Sequence, residues 1–389
     1  MGIVLLVIGI ILFIGLIVVH EWGHFVAARR NGVEAEEFGI FFPPSLYKRK
    51  MKSGWLFSIN LIPLGGFVKL KGEHDSDTEP GSFGAASTWA KTKIMAAGVV
   101  MNLVVALVLF TILALVGMPR LVDNQFTVKK DTQLVNRQVI ISYVEPGSPA
   151  DKAGLTAEDQ INDIGLAGYS PVGVSSAAKL PELTKQFAGK TAEVYYTRGG
   201  QQHTAKVTLL TKDAVAASQK TNNPKGYLGI SPTEFTLQRS TWSAPVVAVG
   251  FSAQVTALTF QGLGHALGGL SSLIAGAVTG NHAAREHGQT AASSQVAGPV
   301  GIFVILKNGS LLGYQFMLMI VAIISLTLAI MNILPVPALD GGRLWITLIS
   351  RALKRPLSAR AEETINAVGF VILFSLIIAI TTVDVHRFF

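Results

Sequence analysis

Four long segments of this chain contain no charged side chain, and this pattern constrains the fold more than any other feature. The segments are residues 1–19, 94–118, 308–339 and 364–383. A helix crosses the hydrocarbon core of a bilayer with about 20 mostly apolar residues, and each segment supplies that length. Charged residues make up only 14% of the chain, compared with about 25% in soluble domains. The sequence therefore predicts a polytopic α-helical membrane protein with about four spanning helices.

Basic residues flank these segments and predict their orientation. Lys and Arg are concentrated between the first two segments and between the last two, and such connections face the cytoplasm. Both chain ends and residues 119–307 are therefore expected outside the cytoplasm. No basic residue precedes the first segment, so a retained span is expected there rather than a cleaved signal peptide.

The net charge of +8 is accounted for largely by the basic residues in these two connections. No stripe of basic and aromatic residues accompanies it, so nucleic acid is not an expected partner. The chain contains no cysteine, which excludes disulfides and thiolate metal ligands.

A further charge-free stretch, residues 240–284, is less apolar because it is rich in Gly, Ser, Thr and Gln. It is long enough to span the bilayer. A single extra crossing, however, would place the basic residues 343–360 outside, against the positive-inside pattern. An interfacial or re-entrant helix is the preferred interpretation.

Residues 119–235 have the composition of a globular region between the second span and that stretch. Residues 138–145, 191–197 and 203–210 are typical of strands, and residues 175–188 of a short helix that begins at Ser and ends before Gly. A small α+β domain of about 90 residues fits here.

The segment EPGSPADKAGLTAEDQINDIGLAG, residues 145–168, resembles part of a bacterial PDZ domain, which would occupy about residues 138–232. The run Tyr227-Leu228-Gly229-Ile230 resembles the loop of such domains that binds a peptide carboxylate. The resemblance implies that an extended peptide adds to a sheet edge. The alternative for this run is a purely structural turn.

The first apolar segment leads into His20-Glu21-Trp22-Gly23-His24, an HExxH motif. Residues four apart share a helix face, so both imidazoles can bind one metal ion. Glu21 is rotated by about 100° and can act as general base toward a water molecule. An intramembrane Glu between two His residues is costly unless it is used. Because Arg29 follows closely, the site is expected inside the bilayer near its cytoplasmic side. The alternative is two histidines at a helix end near the headgroups.

Hydrolytic zinc sites usually have three protein ligands and one water. Asp340 is the best candidate for the third ligand, since it follows an apolar segment interrupted by Pro335 and Pro337. The prolines exclude a regular helix and free backbone groups, which is tolerated at this depth only when those groups are buried or line a polar cavity. A lone Asp at a helix end is otherwise usually a cap.

HExxH in the first span and Asn-x-x-Pro-x-Pro-x-Leu-Asp-Gly at residues 332–341 together resemble the site-2 protease family of intramembrane zinc metalloproteases. The resemblance covers nearly the whole chain, and the PDZ-like insertion is similar to that of bacterial members of the sigma-E regulating type. It implies one Zn²⁺ per chain, bound by His20, His24 and Asp340, with Glu21 as the catalytic base.

The same resemblance implies a set of substrate-binding residues. Asn332 would hold the substrate backbone, Pro335 and Pro337 would shape the unwound segment, and the family's re-entrant β-hairpin would present an edge through Gly65, Gly66, Phe67 and Val68. Gly298-Pro299-Val300-Gly301 matches a further motif of the family.

The expected organisation therefore has four parts. These are residues 1–118 with two spans and a hairpin at about 55–72, the extracytoplasmic region 119–235, the interfacial or re-entrant segment 236–310, and the last two spans in 311–389. Because Asp340 must reach the depth of both histidines, residues 240–284 must cross the membrane either not at all or twice.

Three features depart from the family pattern. The second span has Ala97-Gly98-Val99 where the family has Ala-Gly-Pro, and Arg343 stands where His is common. Neither position is a ligand in the family. The polar stretch 281–296 has no assigned role.

The resemblance implies hydrolysis of peptide bonds within or near the transmembrane segments of single-span proteins in the bacterial inner membrane. Anti-sigma factors and remnant signal peptides, trimmed beforehand by another protease, are substrates of this kind. The lipid bilayer is the other expected partner.

Two other functions are consistent with parts of the pattern. One is an unrelated HExxH membrane protease, whose third ligand would be Glu34, Glu36 or Glu37. The other is a non-enzymatic membrane scaffold that binds partners through a PDZ domain, which leaves Glu21 and Asp340 unexplained. A transporter is disfavoured because the spans show no internal repeat.

Overall fold

The computed structural model describes residues 2–73, 77–122, 124–219, 224–282, 298–354 and 358–388. Most of the polar stretch 281–296 lies outside these ranges. The helices are α1 (Gly2–Arg30), α2 (Thr88–Val116), α3 (Pro149–Lys152), α4 (Lys179–Gln186), α5 (Lys212–Ser218), α6 (Ala244–Thr279), α7 (Pro299–Leu311), α8 (Tyr314–Ile333), α9 (Asp340–Ala352) and α10 (Ala359–Phe388). The strands are β1 (Ala35–Lys50), β2 (Leu56–Leu70), β3 (Met118–Pro119), β4 (Gln133–Val144), β5 (Gln160–Leu166), β6 (Val172–Gly173), β7 (Thr191–Arg198), β8 (Gln201–Thr208) and β9 (Ile230–Arg239). The chain divides into two compact units, one built around the strands β3–β9 and one around the long helices and the β1–β2 pair.

Five of the described helices, α1, α2, α6, α8 and α10, are long and apolar enough to cross a membrane. In α1 and α10 only 11% of the most apolar window is buried against protein. Apolar surfaces of this extent mark membrane contact, and helices satisfy their backbone hydrogen bonds internally, as lipid requires. The chain is a multi-pass membrane protein, and each of the four predicted segments contributes one of these helices.

The fifth candidate, α6, occupies the stretch predicted as interfacial or re-entrant. It is one continuous helix of 36 residues, without the internal turn that a re-entrant segment needs. Its first half is packed against protein, with the Phe251 ring 5.1 Å from that of Phe110 in α2. Its second half exposes apolar side chains such as Leu267 and Leu270. Its disposition in the membrane stays a prediction.

The connection between α1 and α2 contains an antiparallel ribbon of β1 and β2 that folds back on itself, so that residues 37–40 of β1 pair with residues 66–69 of β2 on one side and with residues 56–59 on the other. The bounds predicted for the hairpin, about 55–72, are wrong, because these residues form the single strand β2, whose partner β1 precedes it and begins at Ala35. Gly66 pairs with Ile40 and Phe67 with Gly39 near the open end of the ribbon, and Lys50 pairs with Leu56 next to the turn.

The strands β3–β9 form one sheet in the order β3-β9-β4-β5-β7-β8, with β6 paired to β5. We call this part the inserted β domain. Alternating side chains from several strands, such as Val139, Ile141, Ile164, Val194 and Val207, are buried together in its core. This alternation is the period-two pattern of strands with one face covered.

The predicted hairpin of the inserted β domain is present as β7 and β8. Gly199 and Gly200 form its turn, both with the positive φ that favours glycine. The predicted helix at 175–188 is shorter, because it begins at Lys179, and its N-cap Ala178 makes no side-chain capping bond.

Candidate metal centre and active site

The close approach of α1 and α2 positions the HExxH motif. A Cβ atom at Gly23 would lie 2.7 Å from the carbonyl oxygen of Ala97, and a Cβ at Gly98 would clash with the imidazoles of His20 and His24. The two glycines therefore let α2 lie directly against the face of α1 that carries both histidines.

The HExxH histidines meet Asp340 at one point. Nε2 of His20 is 2.9 Å and Nε2 of His24 is 3.1 Å from Oδ2 of Asp340. The two nitrogens are 3.2 Å apart. Zinc bonds of about 2.0–2.1 Å at tetrahedral angles place neighbouring ligand atoms about 3.3 Å apart. Two imidazoles and one carboxylate are also a usual zinc donor set, so these residues fit a zinc ion.

Two groups from α2 orient the imidazoles. Nδ1 of His24 donates to the backbone carbonyl of Ile94 at 2.8 Å, and the side-chain amide of Asn102 lies 3.2 Å from Nδ1 of His20. Bonds at Nδ1 leave each Nε2 directed at the metal position, as is usual for metal-binding histidines.

Ile94, Gly98 and Asn102 were not among the predicted site residues. An available sequence signal was Asn102, a polar residue four positions after Gly98 in an otherwise apolar span, because such residues usually face other helices.

Asp340 is brought to this depth by the break after α8. Residues 334–339 are not helical, and Ala338 has a φ of 73°. Gly341 and Gly342, at the start of α9, lie directly against the backbone of Leu334 and Val336. Side chains there would push the broken segment away, so the glycines fix Asp340 at the start of α9.

A cavity of about 490 Å³ opens onto these three residues. Glu21 lines this cavity. It lies directly against Gly66 of β2, since a Cβ atom added at Gly66 would be only 2.9 Å from Cγ of Glu21. Of the predicted substrate-binding residues, the structure brings together at its wall Asn332, Gly65, Gly66, Phe67 and Val68.

Pro335 and Pro337 are not part of this cavity wall. Pro337 instead packs against Gly342 and against Gly369 of α10. The prolines lie in the break between α8 and α9, which is where the sequence placed them.

The glutamates proposed as an alternative third ligand lie elsewhere. Glu34, Glu36 and Glu37 face lysines, with Glu36 2.8 Å from Nζ of Lys69. In the part of the chain that the structure describes, the cluster with metal-binding geometry is His20, His24 and Asp340. The alternative ligand set is therefore wrong, since its carboxylates do not reach the histidines.

The sequence model of peptidase family M50 matches residues 8–376, which is nearly the whole chain. The chain belongs to peptidase family M50. This is the family of the site-2 proteases, as the motifs of the first and last spans predicted.

Relatives of this M50 peptidase have matching names. It is 27% identical over 385 residues to a Clostridium perfringens protein named "Putative zinc metalloprotease", with 98% of each chain covered. It is 29% identical over 369 residues to a protein of the same name from a Nostoc species, covering 93% of this chain and 90% of that one. A Campylobacter jejuni protein of the same name is 27% identical over 382 residues, with 96% and 90% covered. Family and relatives together identify a membrane metalloprotease for which zinc is the implied metal.

The position where the M50 peptidase has Arg343 instead of His lies at the edge of the cavity. The Arg343 guanidinium is 3.3 Å from a carboxylate oxygen of Glu73 and lies 4.6 Å from the ring centroid of Phe83. Glu73 also accepts a hydrogen bond from the backbone of Leu70 at the end of β2. Arg343 therefore connects the helix that carries Asp340 to the strand that lines the cavity.

The predicted peptide-binding run of the M50 peptidase lines a separate groove in the inserted β domain. Tyr227, Leu228, Gly229 and Ile230 border a space of about 360 Å³ beside α4. Gly229 has a φ of 78° and lies against Ser148, so the turn requires glycine. The assignment of this domain as a PDZ domain stays a prediction.

Proposed function

We propose that this M50 peptidase hydrolyses peptide bonds within or near the transmembrane segments of single-span membrane proteins. One observation carries the proposal. The cluster of His20, His24 and Asp340 shares one cavity with the strand residues Gly65–Val68, and the cavity is built on helices that suit a bilayer. One Zn²⁺ per chain is proposed for the cluster.

The chemistry follows from the groups around the cluster. Zinc, when bound, supplies Lewis-acid polarisation of the scissile carbonyl. Glu21 takes a proton from the attacking water and passes it to the leaving amine. The aligned imidazoles and the Asp340 carboxylate hold the reacting centre in place, so orientation need not be gained during the reaction.

The substrate backbone needs partners once it unwinds, since a helix in lipid has its hydrogen bonds satisfied internally. One side of β2 is paired with β1 at Gly66 and Val68. Residues 56–59 of β2 pair with β1 on both sides, whereas residues 66–69 have one paired side among the described strands, so the second edge at residues 66–69 can receive an extended substrate segment. Asn332 lines the same cavity and is proposed to hydrogen-bond that segment.

The test is cleavage of a single-span substrate by purified protein in detergent, with the Glu21→Gln variant. We expect cleavage to fall by at least three orders of magnitude while the zinc content stays at one ion per chain, because Glu21 is not in the ligand cluster. Zinc-dependent cleavage that survives in Glu21→Gln would falsify the assignment.

A second pair of variants tests the third ligand. Asp340→Ala should lose bound zinc, whereas Glu37→Ala, which removes a carboxylate that faces Lys48 instead, should retain it. Equal zinc contents in the two variants would contradict the ligand set.

The inserted β domain is proposed to be a PDZ domain outside the cytoplasm that admits substrates already trimmed by another protease. The groove at Tyr227–Ile230 supports this role, since apolar side chains line it where β9 begins, a part of β9 that does not pair with β3. Both chain ends are also proposed to lie outside, in a bacterial inner membrane.

The absence of native cysteine allows a direct topology test. Gln202→Cys in β8 should react with an impermeant thiol reagent in intact spheroplasts, whereas Ser53→Cys, between β1 and β2, should react only after lysis. The reverse pattern would overturn the orientation.

A further inference from the structure

The turn of the β1–β2 ribbon concentrates positive charge. Lys48, Arg49, Lys50 and Lys52 fall within five positions, and the sequence has no acidic residue between Glu37 and Glu73. We call residues 45–54 the basic tip. All of them are exposed, so the charges face outward from the ribbon.

The basic tip has few internal partners. Lys48 lies 3.9 Å from Glu37, at the limit of an ion pair. Within the described ranges, no carboxylate pairs with Arg49, Lys50 or Lys52, whereas the lysines at the other end of β2 face Glu34 and Glu36. The uncompensated charge is therefore confined to the tip.

Aromatic contacts place the tip where α1 ends. The Trp55 ring, directly after the tip, lies 4.8 Å from that of Phe25, one residue beyond the HExxH motif. The guanidinium of Arg29 lies 5.5 Å from the centroid of the same ring. The tip is therefore held beside the last turn of a membrane helix, where Arg29 and Arg30 add two further charges.

Apolar side chains lie among these cations. Leu46 is 66% exposed, Tyr47 48% and Met51 36%. Tyr with Lys and Arg is the composition of the boundary between hydrocarbon and headgroups. An exposed apolar surface mixed with basic residues binds anionic lipid through both contributions.

We propose that the basic tip docks on anionic phospholipid headgroups of the leaflet at which α1 ends. Charge complementarity and the attachment of the tip to a spanning helix both favour this occupant. The lipid would hold the basic tip, and β2 connects the tip to Gly65–Val68 at the cavity. Substrate cleavage should then increase with anionic lipid, and this consequence alone rests on the proposed function.

The docking is tested with the full-length protein carrying Ser53→Cys labelled with an environment-sensitive fluorophore. The protein is reconstituted in vesicles of phosphatidylcholine alone, or with one third phosphatidylglycerol. We expect a blue shift and several-fold weaker quenching by aqueous iodide in the anionic vesicles. Salt at about 1 M should reverse the change, because the screening length falls to about 3 Å.

The matched variants separate the tip from overall charge. The labelled protein with Lys48, Arg49, Lys50 and Lys52 all changed to Gln should show the same quenching in both vesicles. The control variant loses four positive charges in the inserted β domain instead, through Gln substitutions at Lys129, Lys130, Lys152 and Lys212. Its lipid response should be the same as that of the labelled protein with an unchanged tip.

Equal quenching of the unmodified tip in both vesicles would overturn the proposal, as would an unchanged lipid response in the four-Gln tip variant. If the label instead became protected only when an acidic peptide was added, the tip would be a protein-binding surface and the lipid proposal would be wrong. None of these readouts requires protease activity, so they distinguish this inference from the proposed function.

Discussion

The side-chain amide of Asn102 lies 3.2 Å from Nδ1 of His20, the ring nitrogen that faces away from Asp340. A metal at Nε2 leaves the hydrogen on Nδ1, which then needs an acceptor. The oxygen and nitrogen of an amide exchange places by a rotation of the side chain. Oδ1 of Asn102 is buried with no other partner in the described structure. Asn102 is therefore a positioning residue whose oxygen fixes the tautomer and orientation of His20.

Removing this acceptor should weaken metal binding. Asn102→Ala is expected to lower zinc affinity by about 10–100-fold, the usual effect of losing such a partner. Competition with a chelator, followed by metal analysis, measures the change. Asn102→Asp keeps an acceptor and should retain affinity. Ser325→Ala removes only a hydrogen bond to the Asn102 backbone and is the matched control, which should behave as wild type.

Gly98 should tolerate no side chain. The Cβ of Gly98→Ala would clash with both imidazoles, so zinc content and cleavage should both be lost. Gly15→Ala in α1 is the control, because a Cβ there meets nothing within 4 Å. Metal analysis of the two purified proteins makes the comparison. Normal zinc binding in Gly98→Ala would show that α1 and α2 separate more easily than their packing indicates.

Asp384 near the end of α10 should stabilise α7. Its buried carboxylate accepts hydrogen bonds from the backbone nitrogens of Gly298 and Gly301, both at 2.8 Å. Such charge-assisted bonds contribute about 1.5–3 kcal/mol each. Asp384→Ala should therefore lower the Tm in detergent by several degrees. Val385→Ala, at the exposed neighbouring position, should change it little. A Tm equal to wild type would mean that α7 is held by its apolar contacts alone.

Asp131 should stabilise the start of α6 in a pH-dependent way. It accepts hydrogen bonds from the hydroxyl of Ser243 at 2.6 Å and from the hydroxyl and backbone of Thr241. The hydroxyls of Ser243 and Thr241 lower the pKa of Asp131 from 3.8 to about 2. A lowered pKa gives stability that is complete above the ordinary value and is lost as the pH falls toward the lowered one.

The Tm difference between wild type and Asp131→Asn should therefore be constant above about pH 5 and shrink between about pH 4 and 2. Asp213→Asn, at an exposed carboxylate in α5, is the control for the removal of one negative charge. Thermal unfolding in detergent across this range is the measurement. A difference that grew toward low pH would contradict the direction of the pKa shift.

The charge pattern was sufficient to place four of the five described helices that are long enough to span a membrane, but not to assign the disposition of the fifth, α6. Each uncharged segment became a long helix because lipid leaves the backbone no other hydrogen-bonding partners. The inserted β domain was also recognisable from the sequence. The alternation of apolar and polar residues in its strands and the Gly199-Gly200 turn are both local signals. The starting residue of α4 differs from the prediction because residues 176–178 form a turn, although the hydroxyl of Ser176 does accept a hydrogen bond from the backbone N–H of Lys179.

The sequence by itself determined the chemistry of the site. HExxH fixes two imidazoles on one helix face, and a carboxylate after a proline break was the available third ligand. Both statements depend on residues that are near one another in the chain, or on residue types that are rare in apolar segments.

Only the tertiary structure decided what holds that site together. Asp340 and His20 are separated by 320 positions and meet at 2.9 Å. Three residues of α2 take part in the site because α2 packs against α1 beside the histidines. These are Ile94 through its carbonyl, Gly98 through its lack of a side chain, and Asn102 through its amide. Helix packing depends on side-chain contacts between distant segments, and no local period in the sequence records which segments touch.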